Sequence, residues 1–133
     1  MSVDSELNSM VLTFYDSERK DDIMFHKMEE QRIHIGEDGV HLHFLQEPEE
    51  LYNKGRMYAR ITIEPGCSIS YHKHEGEMES FYVAKGCCVM DDNGTEIEAH
   101  VGDILVTPHG SGHAVYNRTI EPIELIALII NQN

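Results

Sequence analysis

Hydrophobic and polar residues alternate with a period of two along most of the chain after Ile33. Such alternation is typical of strands that bury one face. Turn residues separate the alternating segments, and Asn93-Gly94 between two of them is the strongest short hairpin signal that a sequence offers. The last segment, IELIALII, is apolar and β-branched and predicts a buried strand, although its length would also suit a helix. Many short strands at regular spacing predict an all-β sandwich or closed barrel.

The beginning of the chain follows a different pattern. Four apolar residues recur there at helical spacing and predict a short amphipathic helix: Leu7, Met10, Val11 and Phe14. The segment over residues 17–32 is ambiguous, because it carries both a serine that could cap a helix and an alternating apolar pair. We therefore expect an N-terminal extension, helical or irregular, over residues 1–30 and one β-domain over residues 31–133.

Length and charge narrow the classes of function. The 133 residues are enough for a single domain with one core. Asp and Glu number 24 against 10 Lys and Arg, so the formal net charge is -14, which repels nucleic-acid phosphates and anionic membranes. No run approaches the ~18 apolar residues of a membrane span, and a basic-then-apolar signal pattern is missing. We therefore expect a cytoplasmic protein with neither a nucleic-acid nor a membrane partner.

The three cysteines, Cys67, Cys87 and Cys88, make a poor disulfide framework. Their number is odd, two of them are adjacent and no CxxC motif occurs. We interpret them as small buried hydrophobic residues. A vicinal redox or metal role for Cys87 and Cys88 is the alternative interpretation.

Two histidines and a glutamate stand in an alternating segment between two glycines. His72 and His74 are two positions apart and therefore share a strand face. Glu79 follows five positions after His74. Burying such ionisable side chains together is costly unless a cation or hydrogen bonds compensate them. A bound metal ion is therefore the interpretation that this spacing favours.

Two gapped patterns in this sequence resemble the two motifs of the cupin superfamily. The first runs as follows: Gly66, five residues, His72-Lys73-His74, four residues, Glu79, six residues, Gly86. The second runs as follows: Gly102, five residues, Pro108-His109-Gly110, two residues, His113, three residues, Asn117. The resemblance is close over residues 66–117 and extends with the flanking strands to residues 56–130. It implies a double-stranded β-helix, or jelly roll, of six to ten strands.

The same resemblance implies that four side chains bind a metal ion: His72, His74, Glu79 and His113. Three neutral imidazoles and one carboxylate suit a divalent transition metal such as Fe, Mn, Ni, Cu or Zn. Four protein ligands on a six-coordinate ion would leave two positions open, as a catalytic metal needs. The alternative is a set of buried histidines that are satisfied by hydrogen bonds alone.

Four further side chains are candidates for binding a substrate: His43, Arg60, Phe81 and His109. His43 shares a strand face with His41, and both fit ordinary strand residues, with His43 the better candidate for a cavity wall. Arg60 could point inward as an anion clamp or outward as a surface charge, and we favour the surface. Phe81 lies inward by alternation from Glu79. His109 lies at the predicted barrel mouth, where a solvated turn residue is the favoured alternative.

Other residues near the two motifs have less direct predicted roles. Glu75 and Glu77 lie in a predicted rim loop, and either of them as a second catalytic carboxylate is the less favoured interpretation. Asn117 is expected to tie loop backbone together rather than to touch a ligand. Val83 and Val115 are inward by alternation, so the cavity around the metal should be mainly apolar.

The resemblance leaves the reaction open, and no catalytic residue is identified. Cupins with this ligand set include dioxygenases, decarboxylases, lyases and sugar-phosphate isomerases. Oxalate decarboxylases carry an arginine three residues before the first histidine, where this chain has Ile69, and phosphosugar isomerases usually carry more basic residues. We expect a metal-dependent enzyme acting on a small organic molecule, a carboxylate or a sugar derivative. A binding or sensing module without turnover is one alternative, and a metal-free structural cupin is another.

The edge strands of the predicted sheets favour an oligomer over a monomer. Small jelly rolls leave edge strands and apolar outer faces, which a second copy commonly covers. The strand around residues 33–45 and the C-terminal strand are the expected contact elements. We therefore predict a homodimer.

Overall fold

The computed structural model describes residues 24–133, so the helix predicted over residues 7–14 lies outside the described residues. Residues 24–30 contain a short 3-10 helix, Met28–Glu30. Residues Gln31–Asn133 form a compact unit that contains ten strands. Within the described residues, no helix is both long enough and apolar enough to cross a membrane.

Ten strands within residues 31–133 account for the alternating segments of the sequence. They are β1 (Ile33–Ile35), β2 (Val40–Gln46), β3 (Gly55–Ile63), β4 (Ser68–Lys73), β5 (Glu77–Lys85), β6 (Cys88–Asp92), β7 (Thr95–Ala99), β8 (Ile104–Thr107), β9 (Gly112–Tyr116) and β10 (Ile123–Asn131). A second 3-10 helix, Pro48–Leu51, occupies part of the polar loop before β3. The C-terminal segment is a strand rather than a helix, and the all-β prediction is confirmed.

The strands pair in an antiparallel manner within two sheets. The larger sheet has the order β1-β2-β3-β10-β5-β8, and the smaller sheet has the order β4-β9-β6-β7. This two-sheet arrangement confirms the expected jelly roll. The C-terminal strand β10 pairs with β3 on one side and with β5 on the other. It therefore has no free edge, and only its outer face remains available to a partner.

The core consists of the inward residues of the larger sheet together with inward residues of the smaller one. In β10, every second residue from Ile123 to Ile129 is at most 2% exposed, as the alternation predicts. Burying an isoleucine or leucine side chain contributes roughly 1.5–3 kcal/mol to the free energy of folding. The main members of this core are Val40, Ala59, Ile61, Ile63, Phe81, Val83, Met90, Val115, Ile123, Leu125, Ala127 and Ile129.

Two kinds of turn residue fix the ends of the strands. Asn93 and Gly94 join β6 to β7 with φ values of 54° and 100°, which is the two-residue hairpin that the sequence predicts. Gly86 follows β5 with φ 80°. A Cβ atom there would lie 2.8 Å from Ile123 Cγ2, so a larger residue would be strained in both conformation and packing.

The side chain of Asn117 ties the end of the second motif to its surroundings. Its Nδ2 donates hydrogen bonds to the carbonyl oxygens of Ile63, at 2.9 Å, and Glu121, at 2.8 Å. Its Oδ1 accepts a hydrogen bond from the backbone N–H of Thr119 at 2.9 Å. The prediction that Asn117 holds loop backbone is confirmed.

Candidate metal centre

Three strands of the barrel bring three histidines and one glutamate together. His72 is near the end of β4 and faces His113 of β9 as its register partner. His74 follows the last residue of β4, and Glu79 occupies an inward position of β5. His74, Glu79 and His113 are at most 2% exposed, whereas His72 is half-buried. The four residues that the cupin resemblance singles out therefore lie in one cluster.

The donor atoms of this cluster are spaced as ligands of a single ion would be. Glu79 Oε1 lies 2.8 Å from His74 Nε2 and 3.0 Å from His113 Nε2. His113 Nε2 also lies 3.1 Å from the Nε2 atoms of both His74 and His72. Two donors that are each about 2.1 Å from an ion, and at right angles, lie about 3 Å apart. The donor set and its spacing therefore fit a divalent transition metal.

The outer nitrogen of each imidazole has a hydrogen-bond partner. His72 Nδ1 lies 2.8 Å from the Ser70 carbonyl oxygen, which can only accept, so this nitrogen carries the proton. His74 Nδ1 lies 2.9 Å from Glu77 Oε1, and His113 Nδ1 lies 2.8 Å from Thr107 Oγ1. Such partners fix the ring orientation and the tautomer of metal-binding histidines. The three Nε2 atoms are thereby left to face the centre of the cluster.

Glu77 is held in its ionised form beside the cluster. Its carboxylate accepts hydrogen bonds from Arg56 Nε and Nη2, both at 2.8 Å. The hydrogen bonds from Arg56, followed by that from His74, lower the pKa of Glu77 to about 2. The carboxylate is therefore charged at any pH at which an imidazole is neutral, and His74 Nδ1 retains an anionic acceptor.

A cavity of about 390 Å³ adjoins the cluster, and His72, His74 and Glu79 form part of its wall. Most of the remaining wall is apolar, with Ile61 and Phe81 among its residues. The Phe81 ring stacks on His113 with ring centroids 4.7 Å apart. This cavity agrees with the mainly apolar surroundings that alternation predicts, and it places Phe81 where a ligand could touch it.

Two of the residues predicted to bind substrate lie away from the cavity. On β2, Val40 and Leu42 point toward the core, so His43 points to the opposite face of the sheet. Its register partner on β3 is Arg60, which shares that outer face and lies 3.9 Å from a carboxylate oxygen of Glu124. Burial, followed by the charge of Arg60, lowers the pKa of His43. The cavity-wall prediction for His43 is wrong, and Arg60 takes the favoured outward orientation rather than that of an anion clamp.

His109 also lies outside the cavity wall, at the rim of the barrel. Its Nδ1 accepts a hydrogen bond of 2.7 Å from the backbone N–H of Gly76. Its side chain is 44% exposed. The ring thus holds the turn between β4 and β5, and His109 does not line the cavity beside the cluster.

Sequence reasoning missed two polar residues around the cluster, Thr107 and Arg56, and placed a third, Glu77, in a rim loop. Alternation along β8 carried a signal for Thr107, because Leu105 and Thr107 share the inward face. Glu77 lies two positions before Glu79, so alternation along β5 also indicated that it points inward. It is the first residue of β5 rather than part of a rim loop, and its side chain is 13% exposed. Arg56 had no such signal, because its place on the cavity wall depends on a pairing with a residue 21 positions away.

Comparison with known proteins agrees with this geometry. A family model described as a cupin domain matches residues 59–129. A protein from Thermotoga maritima named oxalate-binding protein is 37% identical over 95 residues, which are 71% of this chain and 78% of that protein. A solved structure from the same species, described as a predicted oxalate decarboxylase, is 32% identical with a TM-score of 0.76, over 81% of this chain and 99% of that one.

A more distant similarity extends to the fold alone. A structure from Silicibacter pomeroyi, described as a sugar phosphate isomerase from a cupin superfamily, is 20% identical with a TM-score of 0.69. The match covers 82% of this chain and 76% of that chain. At this level of identity the shared barrel says nothing about a shared reaction.

Replacing Glu79 by glutamine should lower metal affinity by more than about tenfold, which corresponds to ~1.4 kcal/mol. Glu79 is the one carboxylate among the four ligand candidates, and a neutral amide cannot offset the charge of a dication. The measurement is metal per chain by elemental analysis after dialysis of the wild type and Glu79→Gln side by side.

His109→Ala is the matched control, since it removes an imidazole that lies at the rim and outside the cluster. It should retain the metal content of the wild type. If His109→Ala empties the site while Glu79→Gln stays full, the ligand assignment is wrong.

Proposed function

The chain belongs to the cupin family, and from that premise we propose that it is a metal-dependent enzyme acting on a small organic molecule, a carboxylate or a sugar derivative. Cupins commonly bind a divalent metal, and the cluster could hold one. One observation carries the proposal: the cluster, whose four donor atoms lie within 4.8 Å of one another, forms part of the wall of a cavity. Fe, Mn, Ni, Cu and Zn are the candidate metals for this donor set.

A divalent ion held by His72, His74, Glu79 and His113 would supply Lewis-acid polarisation of a ligand oxygen. The residues of the chain supply the rest of the site. His72, His74 and His113 present Nε2, because their Nδ1 atoms are engaged elsewhere. Glu79 offsets one positive charge. Apolar wall residues such as Phe81 exclude water, and electrostatic interactions between a ligand and the cluster are stronger in such surroundings.

A cupin that binds its ligand without turnover is the second candidate. The Thermotoga maritima relative is named as an oxalate-binding protein. Glu37, a carboxylate of the cavity wall, is already engaged, because it accepts a 2.7 Å hydrogen bond from the Ser70 backbone N–H. Ile69 lies on the cavity wall, at the position where oxalate decarboxylases have an arginine. These observations favour binding over decarboxylation of oxalate.

Loading the protein with each candidate metal and supplying small carboxylic acids distinguishes the two functions. Oxalate, malonate and pyruvate are the probes, with consumption followed by liquid chromatography and binding followed by calorimetry. We expect at least one acid to be consumed by the loaded protein and none by the metal-stripped protein or by Glu79→Gln. Metal-dependent binding without consumption would support the second candidate instead. A loaded protein that binds none of the acids would contradict both.

We also propose that the protein partner of this chain is a second copy of itself. Among the described residues, β1 and β8 are the free edges of the larger sheet. On the outer face of that sheet, five apolar side chains are 39% to 61% exposed: Ile33, Tyr82, Ile104, Val106 and Ile130. A face that is apolar across several strands suits an isologous dimer, in which each copy covers the same surface of the other.

Sedimentation at micromolar concentration should therefore give about twice the 15.2 kDa chain mass. Replacing Ile104 by glutamate should shift the protein toward the monomer, because the charge would be buried at the contact. Ile120→Glu, at an exposed position in the loop between β9 and β10, serves as the control and should leave the mass unchanged. A monomeric wild type would contradict the proposal.

A further inference from the structure

Arg56 lies on the wall of the cavity that adjoins the cluster. Among the described residues that line this cavity, it is the one lysine or arginine. Its guanidinium donates two hydrogen bonds to the carboxylate of Glu77, from Nε to Oε2 and from Nη2 to Oε1, both at 2.8 Å. Bidentate pairing of this kind fixes the orientation of the guanidinium as well as its position. Arg56 therefore presents a fixed positive charge, although its side chain is 59% exposed.

Glu77 connects this arginine to the cluster. Its Oε1 accepts a hydrogen bond from Arg56 Nη2 and lies 2.9 Å from His74 Nδ1. The Glu77 side chain is 13% exposed, so little solvent surrounds the shared carboxylate. One oxygen atom therefore lies between the guanidinium and the outer edge of a candidate metal ligand, and Arg56 has a defined place beside the cluster.

The guanidinium of Arg56 keeps hydrogen-bond donors beyond those that Glu77 uses. A guanidinium has five N–H donors, and the two hydrogen bonds to Glu77 engage Nε and one N–H of Nη2. The other charged side chain on the exposed part of the wall, Glu37, is a carboxylate and would repel an anion. Arg56 can therefore pair with an anionic ligand through its remaining donors, whereas a neutral ligand would gain no charge-assisted hydrogen bond.

Because the whole chain is strongly negative, an anionic ligand depends more on the positive charge of Arg56. A formal net charge of -14 repels small anions at a distance, so an anionic ligand needs a fixed positive group within the cavity. Arg32 and Arg118 are paired with Glu47 and Glu96 on exposed surfaces, and neither is part of the cavity wall. Arg56 is thus the arginine placed to meet a ligand beside the cluster.

We propose that Arg56 determines the specificity of this site, selecting a small organic anion over a neutral molecule of similar size, with Glu77 holding its guanidinium in place. The inference rests on the proposed function, because it requires the metal and the cavity. It narrows the ligand class to carboxylates and away from neutral sugar derivatives.

Matched pairs of ligands test this role in the protein loaded with Mn²⁺. Lactate is compared with lactamide, and glycolate with glycolamide, and binding is read from the relaxation rate of water protons at the ion. Arg56→Gln should weaken carboxylate binding about tenfold or more while leaving amide binding unchanged. Arg56→Lys, which keeps the charge, should restore part of the affinity. Arg60→Gln, on the outer face of the sheet, is the control and should match the wild type.

Each outcome decides the question. Retained carboxylate preference in Arg56→Gln overturns the inference, as does a loaded wild type that binds neither carboxylate. If Arg56→Gln loses its metal while Arg56→Lys keeps it, Arg56 acts through Glu77 and His74 on the ion, and ligand selection by Arg56 is likewise overturned. A wild type that takes up no metal is instead the failure of the proposed function, and elemental analysis of each sample separates the two cases.

Discussion

The carboxylate of Glu79 lies almost fully buried among three imidazole rings, and the rest of the structure depends on how that charge is compensated. An ionised carboxylate that is removed from water costs several kcal/mol unless positive charge or several hydrogen bonds surround it. Here its Oε1 lies within 3.0 Å of the Nε2 atoms of His74 and His113. Neutral imidazoles that carry their protons on Nδ1 donate no hydrogen bond from Nε2, whereas a divalent ion would satisfy all four ligand atoms at once.

The barrel supplies this arrangement through strand pairing rather than through local sequence. The β4–β9 pair brings His72 opposite His113, and the β5–β8 pair brings Glu79 opposite Thr107, whose hydroxyl meets His113 Nδ1. A second layer of contacts then fixes the rings from outside, through Ser70, Thr107 and Glu77. Arg56 completes that layer on the side of the cavity. The same residues that orient the ligands therefore also shape the surroundings that a bound molecule would meet.

The orientation of a side chain could be predicted from the sequence where it follows from strand alternation or from motif spacing. The inward positions of Phe81, Val83 and Val115 and the hairpin at Asn93-Gly94 follow from periods of two and from turn chemistry. His43 was assigned to the wrong face, because two histidines that share a face do not reveal which face is buried. The neighbouring Val40 and Leu42 settle that question only when the strand is seen against the core. The pairing of Arg56 with Glu77 could not be predicted, since it depends on strands that meet through the tertiary fold.

X-ray absorption at the metal edge of the Zn²⁺-loaded protein tests the central claim most directly. The cluster predicts a first shell of nitrogen and oxygen donors at about 2.0–2.2 Å, with the outer-shell scattering of three imidazole rings. Glu79→Gln should leave the imidazole signal in place in whatever fraction of the protein still binds metal. A shell of sulfur at about 2.3 Å, which would place the ion on cysteines, or the scattering of fewer than two imidazoles, would contradict the account.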